Sequence, residues 1–140
     1  MEIDPEVLQQ WEKFEKKRQP GLIETLSIGF SYIGSGLVKA SMPVSAKNRQ
    51  PFGFLHGGAS VALAETTASL GSWLLIDPEK ERAVALEINA NHLRSVTDGH
   101  ITAEANIVHQ GRRIHVWEIS IHNEKNQLIC TSRCTITVFS

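Results

Sequence analysis

Cysteine, aromatic residues and long apolar runs are all scarce in this 140-residue chain. There are two cysteines, and aromatic residues make up 6% of the sequence. No apolar run reaches the roughly 18–20 residues of a transmembrane helix, so no membrane span is predicted. Residues 1–6 are acidic and lack the apolar stretch of a secretory signal peptide.

The two cysteines, Cys130 and Cys134, fall on one predicted strand. At ~3.3 Å per residue they are about 13 Å apart. That separation is too long for an intrachain disulfide. Free thiols without a signal peptide favour a cytoplasmic protein.

An excess of either charge is also absent. Fourteen Lys and Arg residues stand against fifteen Asp and Glu residues, for a formal net charge of −1. The overall charge therefore gives no reason to expect a nucleic acid or an anionic membrane as partner. The length, with 41% hydrophobic residues, fits one globular domain over residues 1–140.

The spacing of hydrophobic residues predicts a helix, two strands, a long helix and four strands. The helices are predicted over residues 4–18 and 58–76, a hairpin over 24–43, and strands over 83–93, 101–110, 113–122 and 128–139. Asp4 and Pro5 are expected to begin the first helix within an N-terminal helical segment, residues 1–21. Asp77-Pro78 is expected to close the long helix. This order describes an α+β domain in which one antiparallel sheet packs on one long helix.

Charged residues are almost missing between Gln50 and Ile76, where Glu65 is the only Asp, Glu, Lys or Arg. Its neighbours are mostly Ala, Ser, Thr and Gly, which indicate a buried helix. A carboxylate in such surroundings is costly to ionise unless hydrogen-bond donors surround it. We therefore expect Glu65 either to act in catalysis or to be a structural carboxylate satisfied by a helix N-terminus.

Gly57 and Ser69 are the candidates that flank Glu65. Backbone N–H groups at a helix start lack intrahelical partners and carry the positive end of the helix dipole. The N–H of Gly57 would suit the oxyanion that develops on a carbonyl, and a glycine lets an acyl group approach closely. Ser69, four residues after Glu65, lies on the same helical face. It would either orient an attacking water or pack as a small helix residue.

The order of elements, with QPFGFLHGG at residues 50–58 before the helix of Glu65, resembles the hotdog-fold acyl-CoA thioesterases. The resemblance is closest to the PaaI-like branch, and within it to the subgroup that hydrolyses 1,4-dihydroxy-2-naphthoyl-CoA in menaquinone synthesis. It extends to LEINANHLRS at 86–95 and HVW at 115–117. It implies a curved sheet wrapped round one central helix. It also implies self-association as a dimer, or a dimer of dimers, with active sites at the subunit interface.

By this resemblance Glu65 is the catalytic carboxylate, acting either as a general base on water or as a nucleophile that forms a mixed anhydride. Gln50 and His56 match polar residues that contact the thioester or hold the loop, and Gln50 would meet Glu65 of the other subunit. The alternatives are a solvated loop glutamine and a loop histidine that bonds to the backbone.

The resemblance also implies a substrate-binding set. His92 would lie beside the acyl pocket, and Arg94, with Ser95 at the exit of the same strand, would bind the CoA phosphates. Arg112 and Arg113 are weaker candidates for the phosphates. The residues that would line the acyl pocket are Phe52, Phe54, Leu55 and Trp73, although Trp73 would equally suit the core.

Other chemistries lack their motifs. There is no Gly-x-Ser-x-Gly elbow for an α/β-hydrolase triad. There is no His or Cys spacing for a metal, and no P-loop or dinucleotide fingerprint, so neither metal nor cofactor is predicted. The leading hypothesis is hydrolysis of an acyl-CoA thioester with an aromatic or bulky acyl group. The alternatives are a hotdog hydratase or dehydratase and a non-catalytic acyl-CoA-binding module.

Overall fold

The computed structural model describes residues 1–140, and its centre is one long helix that packs against a seven-stranded sheet. The helices are α1 (Leu8–Lys17), α2 (Leu22–Thr25) and α3 (Gly57–Trp73), with a 3-10 turn at Pro5–Val7 before α1. The strands are β1 (Glu2–Ile3), β2 (Gly29–Gly34), β3 (Leu37–Pro43), β4 (Arg82–His92), β5 (His100–Gln110), β6 (Ile114–His122) and β7 (Leu128–Phe139). None of the helices combines the length and the apolar character needed to cross a membrane.

The sheet has the order β1-β2-β3-β5-β6-β7-β4, and every pair is antiparallel except β1 with β2. Since β4 pairs with β7 alone, its other side is a free edge. Two large apolar side chains on this strand are exposed, Val84 at 51% and Leu86 at 63%. An unpaired, apolar strand edge is a surface on which a further strand can pair.

Small residues let α3 lie close to the sheet. Ala64, Ala68 and Gly71 are buried on it, and the fully buried Trp117 of β6 lies against Gly71. A Cβ at Gly71 would be 2.7 Å from Cζ2 of that ring, which is closer than packed atoms allow. The indole N–H of Trp117 donates to Ser72 Oγ at 2.8 Å. The C-terminal turn of α3 is therefore held against β6 by both shape and hydrogen bonding.

The N-terminal helix packs on the C-terminal half of α3. Its Trp11 is buried in a second apolar cluster with Leu70 and Leu74. The rings of Phe14 and Trp73 meet edge-to-face at 5.6 Å. Apolar side chains on one face of α1 thus fix the position of the segment that follows it.

The α+β class and the hotdog arrangement are confirmed, with every predicted strand found within one residue of its expected bounds from residue 82 onward. The long helix was predicted three residues too far: it begins at Gly57 and ends at Trp73, where Leu74 donates its N–H to Leu70. Two short elements, β1 and α2, were not predicted. Leu8, the first residue of α1, is 42% exposed.

Candidate active site

The N-terminus of α3 leaves one backbone N–H without a partner. His56 caps the helix: its Nδ1 accepts from Gly58 N at 2.8 Å, and its carbonyl accepts from Ala59 N and Ser60 N. The N–H of Gly57 donates to no other group of the chain. Because Nδ1 accepts, the neutral His56 ring carries its proton on Nε2. His56 is thus bonded to the backbone at the start of α3.

His92, at the end of β4, lies against Gly57. A Cβ at position 57 would be 2.8 Å from His92 Nε2. Both residues border a cavity of about 360 Å³, which we call the Gly57 cavity. The predicted site residues on its walls are Gln50, Phe54, Leu55, Gly57, His92, Arg94 and Ser95. The structure thus brings together seven of the fourteen candidate residues named from the sequence.

Gln50 holds the loop before α3 through its own side chain. Its Oε1 accepts from the backbone N–H of Phe52 and, at 3.4 Å, from that of Phe54. Gly53 bends the loop there with φ of +92°, a conformation that favours glycine. Gln50 Nε2 donates to no group of the chain. It remains free to donate toward the Gly57 cavity.

Glu65 and Ser69 border a different cavity of about 330 Å³, which we call the Glu65 cavity. Its other walls come from Thr66, Leu70, Trp73 and Ala83, and from the segment around α1 and α2: Phe14, Gln19, Gly21, Leu22, Ile23 and Glu24. The expectation of a buried Glu65 is wrong for the single chain, where Glu65 is exposed. The reason is that the sheet covers one side of α3, whereas Glu65 lies on the other.

Gly57 and Glu65 are too far apart within one chain to act on the same carbonyl. They are eight residues apart on α3, which corresponds to about 12 Å at 1.5 Å per residue. A carbonyl under attack needs its oxyanion donor and its attacking group within roughly 3 Å. One chain therefore holds these two candidate residues in separate cavities, which we call half-sites.

The remaining predicted residues lie elsewhere or were overlooked. Arg112 and Arg113 border a separate surface cavity with His109, away from both half-sites. Phe52 is exposed and borders neither half-site, whereas Trp73 belongs to the Glu65 cavity. Phe14, Leu22 and Ile23 were not predicted as site residues. The only sequence signal for Phe14 was its apolar helical face, which indicated core.

The two cysteines do not supply a nucleophile. Both are free and buried in the sheet below α3. Burial, with a smaller contribution from the charges of Glu65 and Glu87, raises the pKa of Cys134 to about 12. Burial also raises the pKa of Cys130. Since the thiolate is the reactive form, these thiols are inert near neutral pH.

Known proteins match this chain along most of its length. The model of the thioesterase superfamily matches residues 52–130. The 1,4-dihydroxy-2-naphthoyl-CoA hydrolase of Listeria monocytogenes is 48% identical over 118 residues, covering 84% of this chain and 95% of that protein. The 1,4-dihydroxy-2-naphthoyl-CoA hydrolase of Escherichia coli is 44% identical over 117 residues, covering 84% and 85%. A crystal structure of a variant of thioesterase PA1618 from Pseudomonas aeruginosa superimposes with a TM-score of 0.85 at 38% identity, covering 96% of this chain and 94% of that one.

Proposed function

The chain belongs to the thioesterase superfamily and is a thioester hydrolase, and from that premise we propose that it hydrolyses an aromatic acyl-CoA to the free acid and CoA. The observation that carries the proposal is the single unpartnered N–H of Gly57, which borders a cavity together with His92 and Arg94. The similarity to two 1,4-dihydroxy-2-naphthoyl-CoA hydrolases supports an aromatic acyl group of that type, and with it a role in menaquinone synthesis.

We propose that the active site forms between two subunits, where the Gly57 cavity of one meets the Glu65 cavity of the other. The roughly 12 Å between Gly57 and Glu65 on one helix supports this. So does the free edge of β4, whose exposed Val84 and Leu86 would be covered if two sheets joined there. Such a contact is isologous, so one dimer has two sites. A dimer of dimers is the assembly that we expect for this subgroup.

In this site the thioester carbonyl oxygen accepts from the N–H of Gly57. Glu65 of the other subunit either takes a proton from water as it attacks the carbonyl carbon, or attacks that carbon itself. The tetrahedral oxyanion is stabilised by the Gly57 N–H and by the positive end of the α3 dipole. The C–S bond then breaks and CoA leaves as a thiolate. When water attacks, this thiolate takes up the proton that Glu65 removed from the water, and the carboxylic acid is released directly. When Glu65 attacks, C–S cleavage leaves a mixed anhydride on Glu65, and a water then hydrolyses it, which releases the carboxylic acid, regenerates the Glu65 carboxylate and supplies the proton for the CoA thiol.

The polar groups around the reacting atoms have supporting roles in the proposal. Ser69, one helical turn from Glu65, orients the attacking water. Gln50 donates its free amide toward the thioester, and His92 with Ser95 borders the pantetheine arm. Arg94 binds the CoA phosphates with its planar guanidinium. We also propose one domain over residues 1–140 and a cytoplasmic location, the second supported by the free, buried thiols.

The test replaces Glu65 by Gln and measures CoA release from a panel that includes 1,4-dihydroxy-2-naphthoyl-CoA, benzoyl-CoA and an enoyl-CoA. Loss of a general base should lower kcat by roughly 10²–10⁴-fold. The exposed Glu12 on α1 is the matched control, and Glu12→Gln should keep full activity. Full activity in Glu65→Gln would rule out the mechanism. Reversible hydration of the enoyl group without CoA release would favour a hydratase, and tight binding without turnover a binding module.

Mixed dimers test the shared site. Glu65→Gln and Gly57→Val chains are each expected to be inactive alone. When they are mixed and exchanged, each mixed dimer has one intact site, because both changes fall in the other site. Random exchange should therefore restore about a quarter of the wild-type activity. No recovery, with exchange shown by native mass spectrometry, would place both residues in a site within one chain.

A further inference from the structure

We propose that the Glu65 cavity binds the acyl group, and that the segment from Phe14 to Glu24 sets the size of acyl group that fits. The ligand class is a flat one- or two-ring aromatic acyl group. This inference rests on the proposed function, because it places the acyl carbon next to Glu65.

The walls of the Glu65 cavity suit a flat apolar ligand with one reactive end. Glu65 and Ser69 lie together on α3, and Trp73 follows Ser69 by one turn. The ring of Phe14 meets that of Trp73 edge-to-face at 5.6 Å and 66°. Leu22 borders the cavity and is 55% exposed, so a bound ring would cover apolar surface that the chain leaves open. Aromatic walls pair favourably with an aromatic ligand.

The size of the cavity limits the acyl group. At about 330 Å³ it falls at the lower end of the range for small-molecule pockets, roughly 300–1,000 Å³. A flat group of one or two rings fits a space of this volume. The Gly57 cavity has Arg94 and His92 on its walls instead, which suits the phosphate-bearing arm of CoA.

A carboxylate clasp holds the wall-forming segment in place. Glu24 accepts from Arg18 Nη2 at 2.8 Å with one oxygen and from Gly21 N at 2.8 Å with the other. The guanidinium of Arg18 also lies 5.8 Å from the centre of the Phe14 ring. The hydrogen bond from Gly21 N, with a further backbone N–H and the charge of Arg18, lowers the pKa of Glu24. The clasp therefore stays ionised near neutral pH and holds residues 18–24, which include most of α2, beside the cavity.

The experiment compares kcat/KM for 1,4-dihydroxy-2-naphthoyl-CoA, benzoyl-CoA and acetyl-CoA in Leu22→Ala and Leu22→Phe. Leu22→Ala removes apolar contact with a large acyl group, so kcat/KM for the two-ring substrate should fall roughly tenfold. The kcat/KM for acetyl-CoA, whose acyl group is too small to reach Leu22, should not change. Leu22→Phe narrows the cavity and should exclude the two-ring substrate while benzoyl-CoA still reacts. Leu8→Ala is the matched control, because Leu8 is also exposed in the N-terminal segment but borders no cavity described here.

Glu24→Gln provides a second variant that leaves the apolar wall unchanged. It weakens the clasp and should lower kcat/KM for the two-ring substrate with no effect on acetyl-CoA. If Leu22 and Glu24 variants change all three substrates equally, or change none, the inference is wrong. When that result accompanies an inactive Glu65→Gln, the proposed hydrolysis stands and only the pocket assignment falls. A wild-type chain that releases no CoA from any substrate overturns both.

Discussion

Replacing Gly57 by Ala should lower catalytic activity while the stability of the fold changes little. The substitution keeps the N–H but adds a Cβ 2.8 Å from Nε2 of His92 and 3.2 Å from its two neighbouring ring carbons. His92 is exposed, so its ring can move by the few tenths of an ångström required. Alanine also favours a helix over glycine by up to ~1 kcal/mol. The free energy of unfolding should therefore change by less than about 1 kcal/mol, or roughly 3 °C in Tm.

The same methyl group occupies the space in which the thioester carbonyl would approach the Gly57 N–H. Displacing a reacting group by about 1 Å can reduce the rate roughly 10²-fold. We therefore expect kcat/KM to fall by about that factor while Tm changes little. Circular dichroism during heating gives Tm, and a thiol reagent that detects released CoA gives kcat/KM.

Gly71→Ala is the matched control at the other end of α3. There the Cβ would be 2.7 Å from Cζ2 and 3.0 Å from Cζ3 of Trp117, whose ring is fully buried and hydrogen-bonded to Ser72. Overpacking of this kind costs about 1–3 kcal/mol, which corresponds to roughly 3–10 °C in Tm. Activity at 25 °C should be retained. Wild-type kcat/KM in Gly57→Ala, or a loss of activity that follows Tm in both variants, would refute the reasoning.

Two further predictions concern pH and assembly. Burial lowers the pKa of His115 in the folded protein. The contribution of this histidine to the free energy of unfolding is therefore fully present above the unfolded pKa of about 6.5, and it is lost as pH falls toward the lower pKa of the folded state. Urea unfolding between about pH 5 and pH 8 should show a shallower decline in His115→Gln, and an unchanged slope would contradict this assignment. Leu86→Lys places a charge beside the free edge of β4 and should shift sedimentation toward the monomer and lower activity. Val108→Lys, on the exposed face of the internal strand β5, should change neither sedimentation nor activity. A Leu86→Lys variant that remains fully dimeric would exclude β4 as the contact between subunits.

Local patterns predicted the strands well because each strand alternates between the core and the solvent. In β7 the alternation runs through Cys130, Ser132, Cys134 and Ile136, which are all buried. The end of α3 was harder to predict, because the apolar residues after Trp73 continue the helical pattern. These residues form a turn because of contacts with distant parts of the chain, which the local sequence pattern does not reveal.

The two half-sites also differ in how much of each could be predicted from neighbouring residues in the sequence. The QPFGFLHGG stretch leads directly to Gly57, so the helix start and its neighbours were visible in the sequence. The walls beside Glu65 come from Phe14 and Leu22, more than forty residues earlier. Only the folding of the N-terminal segment onto α3 brings these residues together. The exposure of Glu65 likewise depends on which side of α3 the sheet covers.

A single helix holds both halves of the proposed chemistry, with Gly57 at its first residue and Glu65 two turns later. In the proposed dimer each α3 therefore serves two sites, as the oxyanion end of one and the carboxylate of the other. In that dimer, displacement of one α3 would inactivate both sites. Modification of a single side chain on one α3 would inactivate only the site to which that side chain belongs. A ligand that tilts α3 when it binds at one site would also move the α3 residue that belongs to the second site. In the proposed dimer the two sites would thus be coupled through the helices that they share.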